Sequence, residues 1–494
     1  MVFSSYEFIF IFLPLVLAGY FAVDALIGNS AGLIFLLLAS YVFYAWGENQ
    51  YLIVLIGVSA LNYLFGLQIA RSWRLQLRSM KWWFAAGIVS NLGVLAYFKY
   101  TGFVVEIFRD FLGVEWRNPE IVLPLGISFF VFHALAYIVD SAKEGRAENS
   151  LPRFALFIGF FPHMVAGPIL RPQEFLPQLD VPLKVRLTAE MFACGLTVFA
   201  IGLFKKSFIA DSIAPFANAT FNAAANGNSV LTMWDAWAGA FAYSMQIYFD
   251  FSGSSDMAIG LALMLGIKLP LNFNSPYKAT SLIDFWRRWH MTLSRFLRDY
   301  LYFALGGSRV GKTRRYINIM ITMLLGGLWH GASWTFVVWG AIHGACLAVN
   351  HFWISMRSSA VVPDSIVAVW RGRILTFLVV VIAWVFFRAQ DLHSAMRMLS
   401  AMVGMGDGPI SGFSAFPQIH HAVLTLLGML FFVWALPNTQ TLVGYPSITP
   451  DTSVASTMNL RWKPNWTWGI PVSAILVIGI LSISGGSEFI YFHF

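Results

Sequence analysis

The sequence is poor in charge. Only 11% of its 494 residues are Asp, Glu, Lys or Arg, against 58% hydrophobic, where a soluble chain carries roughly 25% charged residues. That deficit excludes a water-soluble globular protein, because there is too little polar side chain to cover a surface. Cysteine is nearly absent too. Cys194 and Cys346 both fall in apolar runs, which excludes a disulfide scaffold or a cysteine-rich metal site and leaves two buried small hydrophobes. No His-Glu-x-x-His pair occurs. Residues 28–32 match Gly-x-Ser-x-Gly and residues 306–313 match the P-loop pattern. Both lie among helical apolar runs and neither follows a strand, so they make neither a nucleophile elbow nor a phosphate loop. A zinc hydrolase, a serine hydrolase and an NTP-driven pump are all disfavoured. No metal is expected. The net charge of +8 reads as basic loops beside membrane spans, not as a nucleic-acid surface.

What is abundant is long apolar sequence, with a mean hydropathy of +0.68. Runs long enough to cross a bilayer recur along the whole chain, so an all-α, polytopic membrane protein is expected. Spans are read at 8–26, 31–46, 51–70, 82–108, 122–139, 191–209, 235–251, 257–269, 371–387, 422–436 and 468–483. With re-entrant and interfacial pieces they make about eleven to thirteen membrane-embedded elements. No internal repeat or soluble insertion interrupts them, and residues 1–494 read as one membrane-embedded domain. The first apolar run lacks a basic leader and a small-residue cleavage site, so it reads as a spanning helix. The basic loop Arg71, Arg74, Arg78, Lys81 is expected in the cytoplasm, with the N-terminus outside. Lys99, near the end of the fourth span, reads as snorkelling to the interface. Pro124, Gly126 and His133 are placed inside the fifth span, and Pro162, Gly167 and Pro168 point to a bent or re-entrant piece in which His163 satisfies freed backbone carbonyls.

Polar chemistry concentrates between residues 245 and 345. Ionisable groups at membrane depth line cavities, pair with each other or lie at the interface. Asp250 and Asp256 flank Phe-Ser-Gly-Ser-Ser, which suggests a turn between two spans whose carboxylates cap a helix or pair with downstream arginines. At about 100° per residue, the segment 284–307 forms an amphipathic helix at the interface with Arg288, Arg295, Arg298 and Asp299 on one face. His290 points with the apolar side, where it needs a partner or a task. The run 323–344 reads as a single spanning helix with two Gly-x-x-x-Gly pairs, Gly327/Gly331 and Gly340/Gly344, which permit close helix approach. On that one helix His330 and His343 lie roughly 140° apart and belong to different sites. A histidine takes up a proton near neutral pH, as acyl transfer to a hydroxyl requires of its base.

At these residues the chain resembles the membrane-bound O-acyltransferase family. The stretches YFDFSG and SDMAIG, NFN before PY, FWRRWH, LRDYLY and LLGGLWHGA carry the likeness, with SYVFYAW, YFKY, FPH, FKK and the aromatic end FIYFHF in the same order. The resemblance implies an acyltransferase whose active-site histidine is His330 and whose second functional histidine is His290. It implies a tunnel across the bilayer, lined by residues such as Trp329, Asp250, Asp256, Asn274, Arg287, Arg298 and Asp299. No bound cofactor is implied; acetyl-CoA serves as the donor substrate from the cytoplasmic side. Acetyl is then passed to periplasmic esterase-like partners that modify an exopolysaccharide, with the protein in the bacterial inner membrane. Alginate is the expected polymer, with cellulose as the alternative, because Ser254 stands where alginate-modifying members usually have tyrosine. A proton-coupled transporter is the rival of another class.

Overall fold

A computed structural model describes residues 1–113, 121–165, 167–227, 230–356, 365–406, 419–445, 461–484 and 490. Among them there is helix and no strand. Six helical stretches are long and apolar enough to cross a bilayer: Phe8–Leu26, Asn29–Arg74, Ser79–Leu112, Ala189–Ala225, Trp334–Met356 and Ile366–Arg388, with shorter apolar helices at Val423–Ala435 and Trp466–Leu481. The second of these is two helices, Asn29–Glu48 and Leu52–Arg74, broken at Asn49–Tyr51. Tyr41 and Leu55 both flank Gly159, so the two helices fold back on each other. Arg71 and Arg74 thus lie at the far end of a 23-residue helix from Glu48, about 33 Å away. These define a basic end and an opposite end.

The chain's centre is one unbroken helix, Met233–Met264, buried along nearly its whole length. The expected turn at Asp250–Asp256 is absent, and the two expected spans are one. Thr232 and Asp235 cap its start reciprocally, and no proline interrupts it. The serines and glycines that resemble a turn instead thin the helix for a neighbour. A Cβ on Gly253 would lie 2.7 Å from the Gly202 carbonyl, and one on Gly260 would lie 2.5 Å from that of Gly195. Helices Ala189–Leu203 and Met233–Met264 therefore touch backbone to backbone. A π-helical turn, Phe204–Ala210, follows on the first of them. There Lys205 pairs with Asp256 at 2.7 Å, while Lys206 pairs with Asp250 and Asp211, each at 2.8 Å. Asp250 and Asp256 thus meet upstream lysines, not the downstream arginines.

The fifth span also differs. Its helix is Ile127–Glu144, and Pro124 and Gly126 precede it, with Gly126 in the left-handed region at φ 70°. The bend near Pro162 is present: helix Leu151–Gly159 stops at an extended Phe160, and a short turn, Phe161–Met164, follows. His163 sits at that bend, its ring edge-on to His133 at 4.6 Å and beside the freed Phe157 carbonyl at the helix end. Of the aromatic end FIYFHF, all but Ile490 lies outside the described residues. The Ile490 amide donates to Asp250 at 3.2 Å.

Candidate active site

The expected spanning helix around His330 is a hairpin. Helix Lys312–His330 ends on the histidine itself because Gly331 is extended (φ −160°, ψ 145°), and helix Trp334–Met356 returns. The glycines make the return possible. A Cβ on Gly327 would stand 2.2 Å from the Phe336 carbonyl oxygen, and one on Gly340 would stand 2.4 Å from that of Met323. Each Gly-x-x-x-Gly pair therefore packs against the other arm of its own hairpin.

The hairpin corrects the separation of the two histidines. Folded back, His330 and His343 lie either side of one indole, their rings 5.2 and 4.8 Å from Trp339. His343 accepts a hydrogen bond from Trp286 Nε1 at 3.2 Å. His330 is 4% exposed, yet it lines a cavity of about 400 Å³ with Trp329, Lys99, Ser128 and Glu48. Because Glu48 lines it, this outer cavity faces the end opposite the basic loop.

His290 arrives by a broken path. The segment read as one amphipathic helix is three pieces, Leu282–Trp286, Met291–Phe296 and a π turn Leu297–Tyr302. Tertiary hydrogen bonds win over helical ones here. Asn274 N–H donates to the Arg288 carbonyl and Met291 N–H to that of Asn272, both at 2.9 Å. Between them His290 adopts φ 41°, ψ 54°, a strained conformation for a non-glycine residue. Its ring is fully buried, 6.4 Å from that of His330. The backbone N–H and hydroxyl of Thr292 both donate to Asn272 Oδ1, at 3.4 and 2.9 Å, so the His290 Nδ1–H, 3.0 Å away, donates to the same oxygen. Nε2 is then an acceptor. His290 stands behind Trp329 and His330, off the cavity wall.

The other candidates divide. Trp329 lines the outer cavity and stacks on Phe132 at 5.0 Å. Arg298 lines a second cavity of about 400 Å³ with Trp286, Arg315 and His351. This inner cavity lies at the basic end, since neighbouring Tyr300 bonds Asp140 at 2.7 Å on the helix whose end abuts Trp73. Asp299 accepts from Arg298 at 2.8 Å and pairs with Arg171. Burial pushes its carboxyl up, but those two guanidinium groups outweigh it and hold the pKa below the ordinary value. Arg287 is exposed and lines neither cavity, and Asn274 is tied to Asn438 at 2.8 Å. Asp250 and Asp256 lie away from both cavities, in their lysine pairs. The arginines expected on one face are paired separately, Arg288 to Asp284 at 2.8 Å and Arg295 to Glu174 at 2.6 Å.

Sequence reasoning missed Lys99. It does not snorkel: its Nζ donates to the carbonyls of Trp329 at 2.5 Å and His330 at 3.0 Å. The signal was position, since nine residues short of the expected helix end is about 13 Å from the interface, beyond a lysine's reach.

An imidazole on a cavity wall, backed by a second imidazole and facing a cation, can move a proton onto or off a small polar substrate. A match to the membrane-bound O-acyltransferase family model over residues 67–390 decides the family. The chain belongs to the membrane-bound O-acyltransferase family. It is an acyltransferase and a multi-pass membrane protein. It is 40% identical to a probable alginate O-acetylase of Azotobacter vinelandii over the full length of both chains. It is 42% identical to a probable alginate O-acetylase of Pseudomonas aeruginosa, over 87% of this chain and 81% of that one. A peptidoglycan O-acetyltransferase of Helicobacter pylori is 36% identical over 100% of this chain and 98% of its own.

Proposed function

We propose that this protein moves acetyl groups from acetyl-CoA, entering at the basic end from the cytoplasm, to a hydroxyl presented in the outer cavity. The acetyl is destined for an exopolysaccharide, alginate first, in the bacterial inner membrane. His330 is the general base that takes the hydroxyl proton, and His290 orders the site behind it. Periplasmic esterase-like proteins receive the acetyl. The observation that carries this reading is His330 on the wall of the outer cavity, with a second, arginine-bearing cavity on the basic side. A run of rings leads from the wall of one to the wall of the other: Trp286, His343, Trp339 and His330, each within 6 Å of the next. The positive-inside rule favours this orientation, and Arg298 and Arg315 suit the phosphates of a coenzyme. The full-length likeness to alginate O-acetylases supports the polymer. The peptidoglycan O-acetyltransferase supports the same chemistry on a cell-wall glycan as the second reading.

Labelled acetyl-CoA offered to proteoliposomes separates this from proton-coupled transport. Label is expected in covalent linkage to an alginate oligomer or partner hydroxyl, in the absence of any ion gradient. Gradient-dependent uptake with no covalent product would sink the proposal.

A further inference from the structure

Lys99 places an amine at membrane depth with no carboxylate beside it among the described residues. It lies in the interior of the helical stretch Ser79–Leu112, where an unpaired ion is costly. The other buried lysines, Lys205 and Lys206, have carboxylates within 2.8 Å. Lys99 has none among the described residues; its contacts are the Trp329 and His330 carbonyls and Ser128 Oγ at 3.5 Å. Glu48, on the same cavity's wall, lies beside the amino-terminal nitrogen instead.

The local backbone is built to hold this ammonium in place. A π turn, Ala96–Tyr100, interrupts the helix and turns both Lys99 and Tyr100 toward the hairpin tip. Tyr100 Oη donates to the Leu328 carbonyl at 2.9 Å, next to the two carbonyls that Lys99 holds. These are the last carbonyls of the helix that ends on His330, and their partial negative charge accommodates a cation without cancelling it. An ammonium has three N–H bonds. Two are spent on carbonyls, and the long contact to Ser128 leaves the third for the cavity.

We propose that Lys99 is a second catalytic group of this site, whose charge meets the negative charge that forms on the acyl carbonyl oxygen during transfer. The inference rests on the acetyl-transfer reading above. As the acceptor hydroxyl attacks, its oxygen bonds the thioester carbon, and its proton passes to the His330 imidazole. The carbonyl π pair moves onto oxygen, beside the Lys99 ammonium, in a site largely closed to water. Collapse restores the carbonyl and breaks the carbon–sulfur bond, and the departing sulfur takes the proton back from His330. The ester and the free thiol balance the step.

The test is the rate of labelled acetyl transfer by full-length protein in lipid nanodiscs, with Lys99→Met, Lys99→Arg, Lys99→Gln and Tyr100→Phe beside wild type. Removing one such donor costs about 10²–10³ in kcat, so Lys99→Met is expected to fall by that factor with KM for both substrates within about threefold. Lys99→Arg, which keeps the charge, recovers at least about a tenth of the wild-type kcat. Tyr100→Phe removes a cap from the same helix end and no charge, and stays within about fivefold of wild type. Should Lys99→Met fail to fold, Lys99→Gln keeps an N–H for the helix carbonyls, drops the charge and should lose as much. A folded Lys99→Met or Lys99→Gln protein near wild-type kcat overturns the proposal. So does a Tyr100→Phe loss equal to that of Lys99→Met, which would make both residues structural caps. Absence of transfer by wild type itself overturns the acetyl-transfer reading and takes this one with it.

Discussion

Two places in this molecule bury lysine at membrane depth, and they are built on opposite terms. At the first, Lys205 and Lys206 meet Asp250, Asp256 and Asp211 across two helices in backbone contact, and Thr439 and Gln440 fill the remaining bonds of Asp256. Neither the outer nor the inner cavity reaches Asp250 or Asp256. At the second, Lys99 meets carbonyl dipoles and the face of the Trp329 ring, beside an imidazole, on the wall of a space of about 400 Å³. A paired, enclosed charge fixes helix position; an unbalanced charge at a cavity is available to a reacting group. All three lysines sit on π-helical turns, so the backbone device is shared and the difference is the counter-charge.

Breaking the paired region should cost stability. Asp256→Asn leaves Lys205 uncompensated and is expected to destabilise the fold by about 3–5 kcal/mol, read as lost yield and a lower unfolding midpoint in detergent. Replacing both partners, Lys205→Met with Asp256→Leu, should regain most of that stability. If the single and double variants unfold alike, the pair is not what fixes these helices.

That contrast was half legible in the sequence. Membrane character follows from composition, and the motif at His330 from the glycines around it. What failed were the places where a local period was continued through a tertiary interruption. Asp250 to Asp256 reads as a turn because small polar residues favour turns, yet Gly253 and Gly260 serve a touching helix. Their seven-residue spacing, matched by Gly195 and Gly202, was the signal. The segment through His290 has helical periodicity, but backbone bonds to Asn272 and Asn274 bend it, and no periodicity encodes those. The hairpin turned on Gly331, where glycines meant for another helix met the same one folded back.

Smaller changes sharpen the comparison at the reacting end. Gly327→Ala forces a methyl to within 2.2 Å of the Phe336 carbonyl and should cost about 1–3 kcal/mol, visible as thermal destabilisation with activity falling alongside. Asn272→Ala removes the acceptor that orients His290; about tenfold in kcat is expected, from a misplaced ring costing roughly 1.4 kcal/mol, with little change in KM. An unaffected kcat would show that His290 needs no anchor. The least effect is at the interface. Because the pKa of Asp299 is depressed in the fold, its contribution is present above the ordinary carboxylate value and is lost as pH falls through the folded one. Wild type should therefore lose stability on acidification more steeply than Asp299→Asn, and parallel curves would remove Asp299 from the account.

The most direct measurement is single-turnover transfer of labelled acetyl by wild-type and His330→Ala proteins in the same nanodiscs, with their unfolding midpoints recorded. Loss of the base should lower the rate by about 10²–10⁴ while the midpoint stays put. A folded His330→Ala protein that transfers acetyl at the wild-type rate would contradict the account.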